Sequence, residues 1–184
     1  MDNNRIKNGY TLVEILVGIA IFALLVAGPT GLFISSLRSQ NRILGLREVV
    51  DSSSYLLEYM SRTLRMAQKD KTGVCISAGA NYEYPVGHNR QIRFLNYKGN
   101  CHEFSVTGGG KLREKSPIGA FPVDLTSSDL KITDLQFEIS GGDQNDDLQP
   151  RVTILLEITK AAIPGFPEVK VQTTISQRNL DVHY

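Results

Sequence analysis

From Ile15 to Ile34 this chain carries twenty consecutive residues without a charge, within the stretch YTLVEILVGIAIFALLVAGPTGLFI that runs from Tyr10 to Ile34. A helix rises about 1.5 Å per residue, so such a run spans roughly 30 Å, the thickness of a bilayer's hydrocarbon core. The run therefore predicts a membrane-spanning helix. Arg5 and Lys7 lie just before it, and a short basic flank tends to stay in the cytoplasm, which places the following residues on the exported side. A cleaved secretory signal fits less well. The apolar stretch is longer than an h-region of about 7–15 residues, and Leu25 stands where a small residue is wanted for cleavage near Ala27.

Glu14 is at odds with a plain anchor. A carboxylate near hydrocarbon needs a partner or a function, because burying it unpaired costs on the order of 2.5–3.5 kcal/mol at a helix centre and less near an interface. The surrounding residues, Lys7-Asn8-Gly9-Tyr10-Thr11-Leu12-Val13-Glu14-Ile15-Leu16-Val17, resemble the prepilin cleavage and methylation motif of type IV pilins and type II secretion pseudopilins. The resemblance combines a short basic leader ending in Gly9, Thr-Leu close behind it, Glu14 as the fifth mature residue, and an apolar run. It implies that a prepilin peptidase cuts between Gly9 and Tyr10, that the new amino group of Tyr10 is N-methylated, and that Glu14 serves filament assembly by pairing with the cationic terminus of a neighbouring subunit. Tyr10 stands where Phe or Met is commoner, and Pro29 lies two positions earlier than in many related pilins. Proline removes a helical hydrogen bond, and Gly28 and Gly31 lower helix propensity beside it, so a kink or melted turn is expected at Gly28 and Pro29.

Beyond Ile34, apolar residues recur at spacings of three and four (Leu46, Val49, Val50, Leu56, Leu57, Met60, Leu64), one face of an amphipathic helix. Arg38, Arg42, Arg47, Glu58, Arg62 and Arg65 fall on a solvated face. The helix is expected to run to about Lys69, with Asp70-Lys71-Thr72-Gly73 as its stop and Gly73 as a left-handed cap. After Gly73 come short β-rich segments divided by Gly, Pro, Asn and Asp clusters. Gln91–Tyr97 and His102–Thr107 flank a Lys98-Gly99-Asn100 turn, Gly108-Gly109-Gly110 leads to Lys111–Lys115, and Leu130–Ile139, Arg151–Lys160 and Glu168–Arg178 form longer strands. The turns are too short for parallel crossovers, so an antiparallel meander is predicted. The fold class is α+β, a long N-terminal transmembrane and stalk helix packed on an antiparallel sheet. The expected divisions are residues 1–9 leader, 10–34 membrane and filament-core helix, 35–70 amphipathic stalk, and 71–184 globular head.

Charge and chemistry narrow the function further. The formal charge is +1; Arg5 and Lys7 against Asp2 contribute +1 of it, so the chain after Gly9 is neutral. That balance lacks the electrostatic footprint of a nucleic-acid binder. There is no GxSxG, HExxH or phosphate-loop pattern, and His88, His102 and His183 are scattered, so neither an enzyme nor a cofactor is expected. Cys75 and Cys101 belong to no zinc-ligand cluster; they form one disulfide in an oxidising compartment, or remain two buried thiols. Asp143, Asn145 and Asp147 alternate like the opening of a calcium loop, but Leu148 replaces its glycine and Ile154 its closing glutamate, so a solvated turn is the better reading.

Within the pilin-like family, the strand-rich head and the closing segment Gln172–Asn179 resemble minor pseudopilins of the J type and the pilus proteins called PilW. The resemblance implies prepilin peptidase, other pilins or pseudopilins, and the inner membrane as partners. It also implies a filament subunit that starts as a single-pass membrane protein with an exported head. The alternative is a single-pass anchored receptor or adhesin that keeps its N-terminus and never polymerises.

Overall fold

The computed structural model describes residues 9–85, 87–142 and 148–179. One helix, α1 (Leu12–Arg65), is followed by seven strands: β1 (Gln91–Leu95), β2 (Cys101–Val106), β3 (Leu112–Lys115), β4 (Val123–Asp124), β5 (Leu130–Ser140), β6 (Arg151–Lys160) and β7 (Val169–Ser176). The result is an α+β, pilin-like layout. The chain divides into two compact units, Met1–Leu44 and Gly45–Tyr184.

In the first unit α1 presents its apolar side chains to the surroundings: Leu12, Leu24, Leu25, Leu32 and Phe33 are all exposed. Its most apolar 18-residue window has a mean hydropathy of 2.4 and none of it is buried, so by length and composition it can cross a membrane. Helical structure is unbroken through Gly28 and Pro29, so no turn is melted there. Thr30 Oγ1 donates to Val26 O at 2.7 Å, a local bond across the turn that the proline weakens.

In the second unit the sequence's three-and-four spacing does its work. Val49, Leu56, Leu57, Met60 and Leu64 line one face of α1 and join a single core with Ile92, Phe94, Phe104, Leu112, Leu135, Phe137, Ile154 and Ile158. Gly45 is buried on that face because the Phe166 ring lies there; a Cβ would come within 3.0 Å of Phe166 Cζ. The Lys160 ammonium pairs with Glu48 at 2.5 Å one turn further on.

The expected meander splits into two sheets, β1-β2-β3-β4 and β5-β6-β7, antiparallel throughout. Two backbone bonds tie them together: Phe137 N to Asn89 O (2.7 Å) and Ile132 N to Gly110 O (2.8 Å). The second explains one glycine of the Gly108-Gly109-Gly110 run. Gly110 has a φ of 74°, and a Cβ there would meet Ile132 O at 2.7 Å, so no other residue fits without displacing backbone. Inside β5 the register shifts between Ile132 and Asp134, a bulge that keeps Leu135 and Phe137 facing the core.

The helix ends at Arg65, four residues before the expected stop. Its last carbonyls are taken by tertiary partners. Tyr82 Oη donates to Leu64 O (2.8 Å) and Arg178 N to Arg65 O (2.8 Å). Gln177 Nε2 and Asn179 Nδ2 both donate to Ala67 O, at 2.9 and 3.1 Å. Gln68 N then donates to Leu95 O at 2.8 Å, pulling the backbone into a strand-like path. Gly73 does have a positive φ of 73°, but in the loop beyond the helix rather than at its cap. The calcium-like positions Asp143, Asn145 and Asp147 lie outside the described residues.

Candidate functional site at the N-terminus and the buried polar groups of the head

Gly9 and Tyr10 precede the helix in non-helical conformation. Among the described residues nothing lies within 4 Å of a Cβ built on Gly9, and Tyr10 is 84% exposed, so no described part of the chain covers the peptide bond between them. Thr11 is the helix N-cap. Its hydroxyl accepts from Glu14 N at 3.3 Å, while Glu14 Oε2 accepts from Thr11 N at 2.9 Å and from Thr11 Oγ1 at 3.1 Å. This is a reciprocal capping box, which satisfies two of the amide donors a helix start leaves unpaired. The Thr-x-x-Glu spacing ahead of an apolar run is the signal by which sequence reasoning could have found it, and did not. The carboxylate at the positive end of the helix dipole is also favourably placed.

In the head, Cys75 and Cys101 are joined in a disulfide with a Cα–Cα separation of 5.2 Å. The bridge links the loop after α1 to the first residue of β2. Beside it, Asp70 organises that loop. It is 1% exposed; its Oδ1 accepts from Thr72 N (3.0 Å), Thr72 Oγ1 (3.1 Å) and Gly73 N (2.9 Å), and its Oδ2 from Cys75 N (2.7 Å) and Ile76 N (3.2 Å). Burial alone would raise its pKa, but the donors from Cys75, Ile76 and Thr72 outweigh it and hold the carboxyl well below the usual range.

His102, scattered in sequence, sits at the core between Phe94 and Phe104, each with its ring centroid 4.9 Å away. Its Nε2 is 2.9 Å from Glu114 Oε1, and Tyr59 Oη donates to the same carboxylate at 2.8 Å, so α1, β2 and β3 meet there. Neither imidazole nitrogen has a hydrogen bond of good geometry among the described residues. Burial pushes the imidazole pKa down and Glu114 opposes it, while burial and then Glu114 push the Tyr59 phenol up to about 12. Among the described residues no group of three or more His, Cys, Asp or Glu is placed to hold a metal ion.

The family described as Prokaryotic N-terminal methylation motif matches residues 4–28. The match spans Gly9, Tyr10, Thr11 and Glu14 and supports a pilin or pseudopilin that is processed at its N-terminus and assembles with other pilins. That family is one of structural subunits. No curated protein and no solved structure matches the chain significantly.

Proposed function

We propose that this chain is a minor pilin or pseudopilin precursor whose mature form initiates or caps a type IV pilus or a type II secretion pseudopilus. The observation that carries the reading is the methylation motif at residues 4–28 laid over an open Gly9–Tyr10 bond and a capped helix start. Glycine at position 9 answers no packing need among the described residues, which suits a residue selected by a peptidase. Prepilin peptidase cuts there on the cytoplasmic face and Tyr10 is N-methylated. Residues 10–34 then serve as membrane span and later filament core, 35–70 as stalk and 71–184 as exported head, and the chain resembles the J-type pseudopilins and PilW. The head's disulfide suits an oxidising compartment.

In the filament Glu14 exchanges part of its Thr11 cap for the methylated terminus of a neighbour. Each charge offsets the other's desolvation, and the helix yields at Gly28 and Pro29 as subunits pack. The test is intact-mass and N-terminal peptide mass spectrometry on protein from its native membrane. A chain beginning at N-methylated Tyr10 is expected. An intact Met1 start would replace this reading with an anchored receptor, and a start near Gly28 with a secreted domain.

A further inference from the structure

An antiparallel sheet with one face on the core commonly leaves the other to water, yet every residue of β2 from His102 to Ser105 is buried. His102 and Phe104 meet the core, so Glu103 and Ser105, 6% and 9% exposed, are buried on the outer face. The register gathers their neighbours there. Arg93, Glu103 and Lys115 lie directly across from one another on β1, β2 and β3, and Gln91, Ser105 and Arg113 form the next row. These six alternate along their strands with Ile92, Phe94, Phe104 and Leu112 of the core, so their side chains share the face turned away from it. Together they floor a cleft of about 770 Å³ walled by Pro85, Ile118 and Pro122. Backbone hydrogen bonds fix both walls. Glu83 and Arg93 exchange two, at 3.0 and 2.9 Å, and Ile118 N donates to Cys101 O at 3.0 Å. On the floor Arg93 donates to Glu103 Oε2 through Nη2 at 2.7 Å and Nε at 3.1 Å, and Arg113 Nε donates to Asp124 Oδ1 at 2.8 Å. Both guanidinium groups thus have carboxylate partners. Among the described residues Glu103 Oε1, the Ser105 hydroxyl and the Gln91 amide have none.

We propose that this cleft binds a short, uncharged oligosaccharide. Its floor offers a carboxylate oxygen that only accepts, guanidinium groups that only donate, and a hydroxyl and an amide that do both. A sugar hydroxyl likewise donates and accepts, so a row of hydroxyls satisfies such a floor without bringing a charge to it. An anion would lie against Glu103 beside guanidinium groups already engaged, and a cation would meet Arg93, Arg113 and Lys115. A buried polar group left unsatisfied costs about 1–3 kcal/mol, which is the source of selectivity for a ligand that pairs with donors and acceptors alike. Pro85, Ile118 and Pro122 give apolar walls for the C–H faces of the rings. The volume lies within the range of about 300–1,000 Å³ usual for small-molecule sites. An extended peptide is the weaker match, because sheets receive peptides by adding a strand at an edge and this cleft lies on a face. The proposal does not depend on the filament reading.

The test is an array of neutral and anionic oligosaccharides, with a peptide array beside it, probed with the full chain in a zwitterionic detergent, since a maltoside would itself compete for a sugar site. Titration with the best neutral glycan follows. The expected result is binding of at least one neutral glycan with an affinity unchanged by salt. Ser105→Ala and Glu103→Gln should each weaken it about tenfold, corresponding to about 1.4 kcal/mol, while Lys170→Ala on the other sheet should leave it unaltered. Thermal midpoints report whether the variants keep an intact head. Ser105→Ala retains the Arg93–Glu103 pair, so it decides the matter if Glu103→Gln fails to fold. Four results would each overturn the proposal: no glycan bound, binding confined to anionic glycans or lost as salt rises, peptides bound in place of glycans, or an affinity indifferent to the substitutions at Ser105 and Glu103.

Discussion

Replacing Asp70 by asparagine removes one charge and one acceptor from a loop that hangs on both. The retained carbonyl oxygen can still serve Thr72 and Gly73, but the new amide nitrogen then faces the N–H groups of Cys75 and Ile76, donor against donor. Turning the amide over only transfers the conflict to the other pair. Leaving a buried donor unsatisfied costs about 1–3 kcal/mol, so two of them, partly relieved by loop movement, cost about 3 kcal/mol. For a unit of this size that lowers the thermal midpoint by about 6–12 °C. The pH dependence gives a second, sharper signature. A carboxyl whose pKa is depressed on folding stabilises the fold above its unfolded pKa, near 3.9, and loses that contribution as pH falls through that value towards the folded one. The gap between wild type and Asp70→Asn should therefore be full at pH 7 and narrow steadily below about pH 4. Near-UV circular dichroism melts of the full oxidised chain in detergent, at pH 7, 5 and 3, measure both effects. A midpoint within about 2 °C of wild type at pH 7, or a gap that stays constant on acidification, would refute the argument that this carboxylate holds the loop in its ionised form.

Four further variants, at Gly45, at the Cys75–Cys101 bridge and at His102, probe the same unit by the same melts. Gly45→Leu drives a branched side chain into the Phe166 ring and should destabilise by about 1–3 kcal/mol, whereas Gly45→Ala, which gains up to about 1 kcal/mol of helix propensity against a small ring displacement, should be near neutral; equal losses would place the packing contact elsewhere. Cys75→Ser with Cys101→Ser opens a crosslink of sequence separation 26 and should cost about 3–4 kcal/mol in the chain-entropy account, with no change in the double variant meaning that the bridge restrains little. His102 has a folded pKa below its unfolded value, so wild type should lose stability as pH falls below about 6.5; His102→Leu should lose less over that window while costing roughly 1 kcal/mol at pH 8 through lost stacking, and parallel pH profiles would count against it.

What the sequence made legible follows from how local each cause is. The uncharged run and the motif around Gly9 and Glu14 depend on neighbours within a few residues, and Arg151–Lys160 was readable to the residue because its buried apolar residues Val152, Ile154, Leu156 and Ile158 fall on every second position. The helix stop was placed too late because Met66 to Lys69 are all acceptable helix formers; what ends the helix is Tyr82, Gln177, Arg178 and Asn179, residues up to 112 positions away. Two sheets in place of one meander were illegible for a related reason. The sheets meet through Gly110 with Ile132 and Asn89 with Phe137, contacts between residues far apart along the chain, and a glycine in a Gly-Gly-Gly run announces flexibility before it announces close approach. Asp70 read as a stop signal because an Asp near a Gly suits any turn, and nothing local says that it would be buried with five donors. His102 meets Glu114 through the β2–β3 register, so no spacing along the chain could have paired them.

On the function proposed above, one short N-terminal pattern would serve two physical demands at different stages. Before assembly a helix emerging at a membrane surface has unpaired amide donors and no neighbour to satisfy them, and the Thr11–Glu14 box does so within the chain. In a packed filament core the same carboxylate, if it stayed bonded only to its own Thr11, would carry an uncompensated charge into an apolar surrounding, a cost of several kcal/mol. A cationic terminus brought by a neighbour removes that cost without dismantling the helix, because Thr11 Oγ1 can continue to accept from Glu14 N. The capping box thus lets Glu14 be tolerated in the isolated subunit while leaving the larger stabilisation to be gained only on assembly. On the function proposed above, that difference would favour the packed state over the free one, and leader removal would control it, since no amino group stands next to Thr11 until the Gly9–Tyr10 bond is cut.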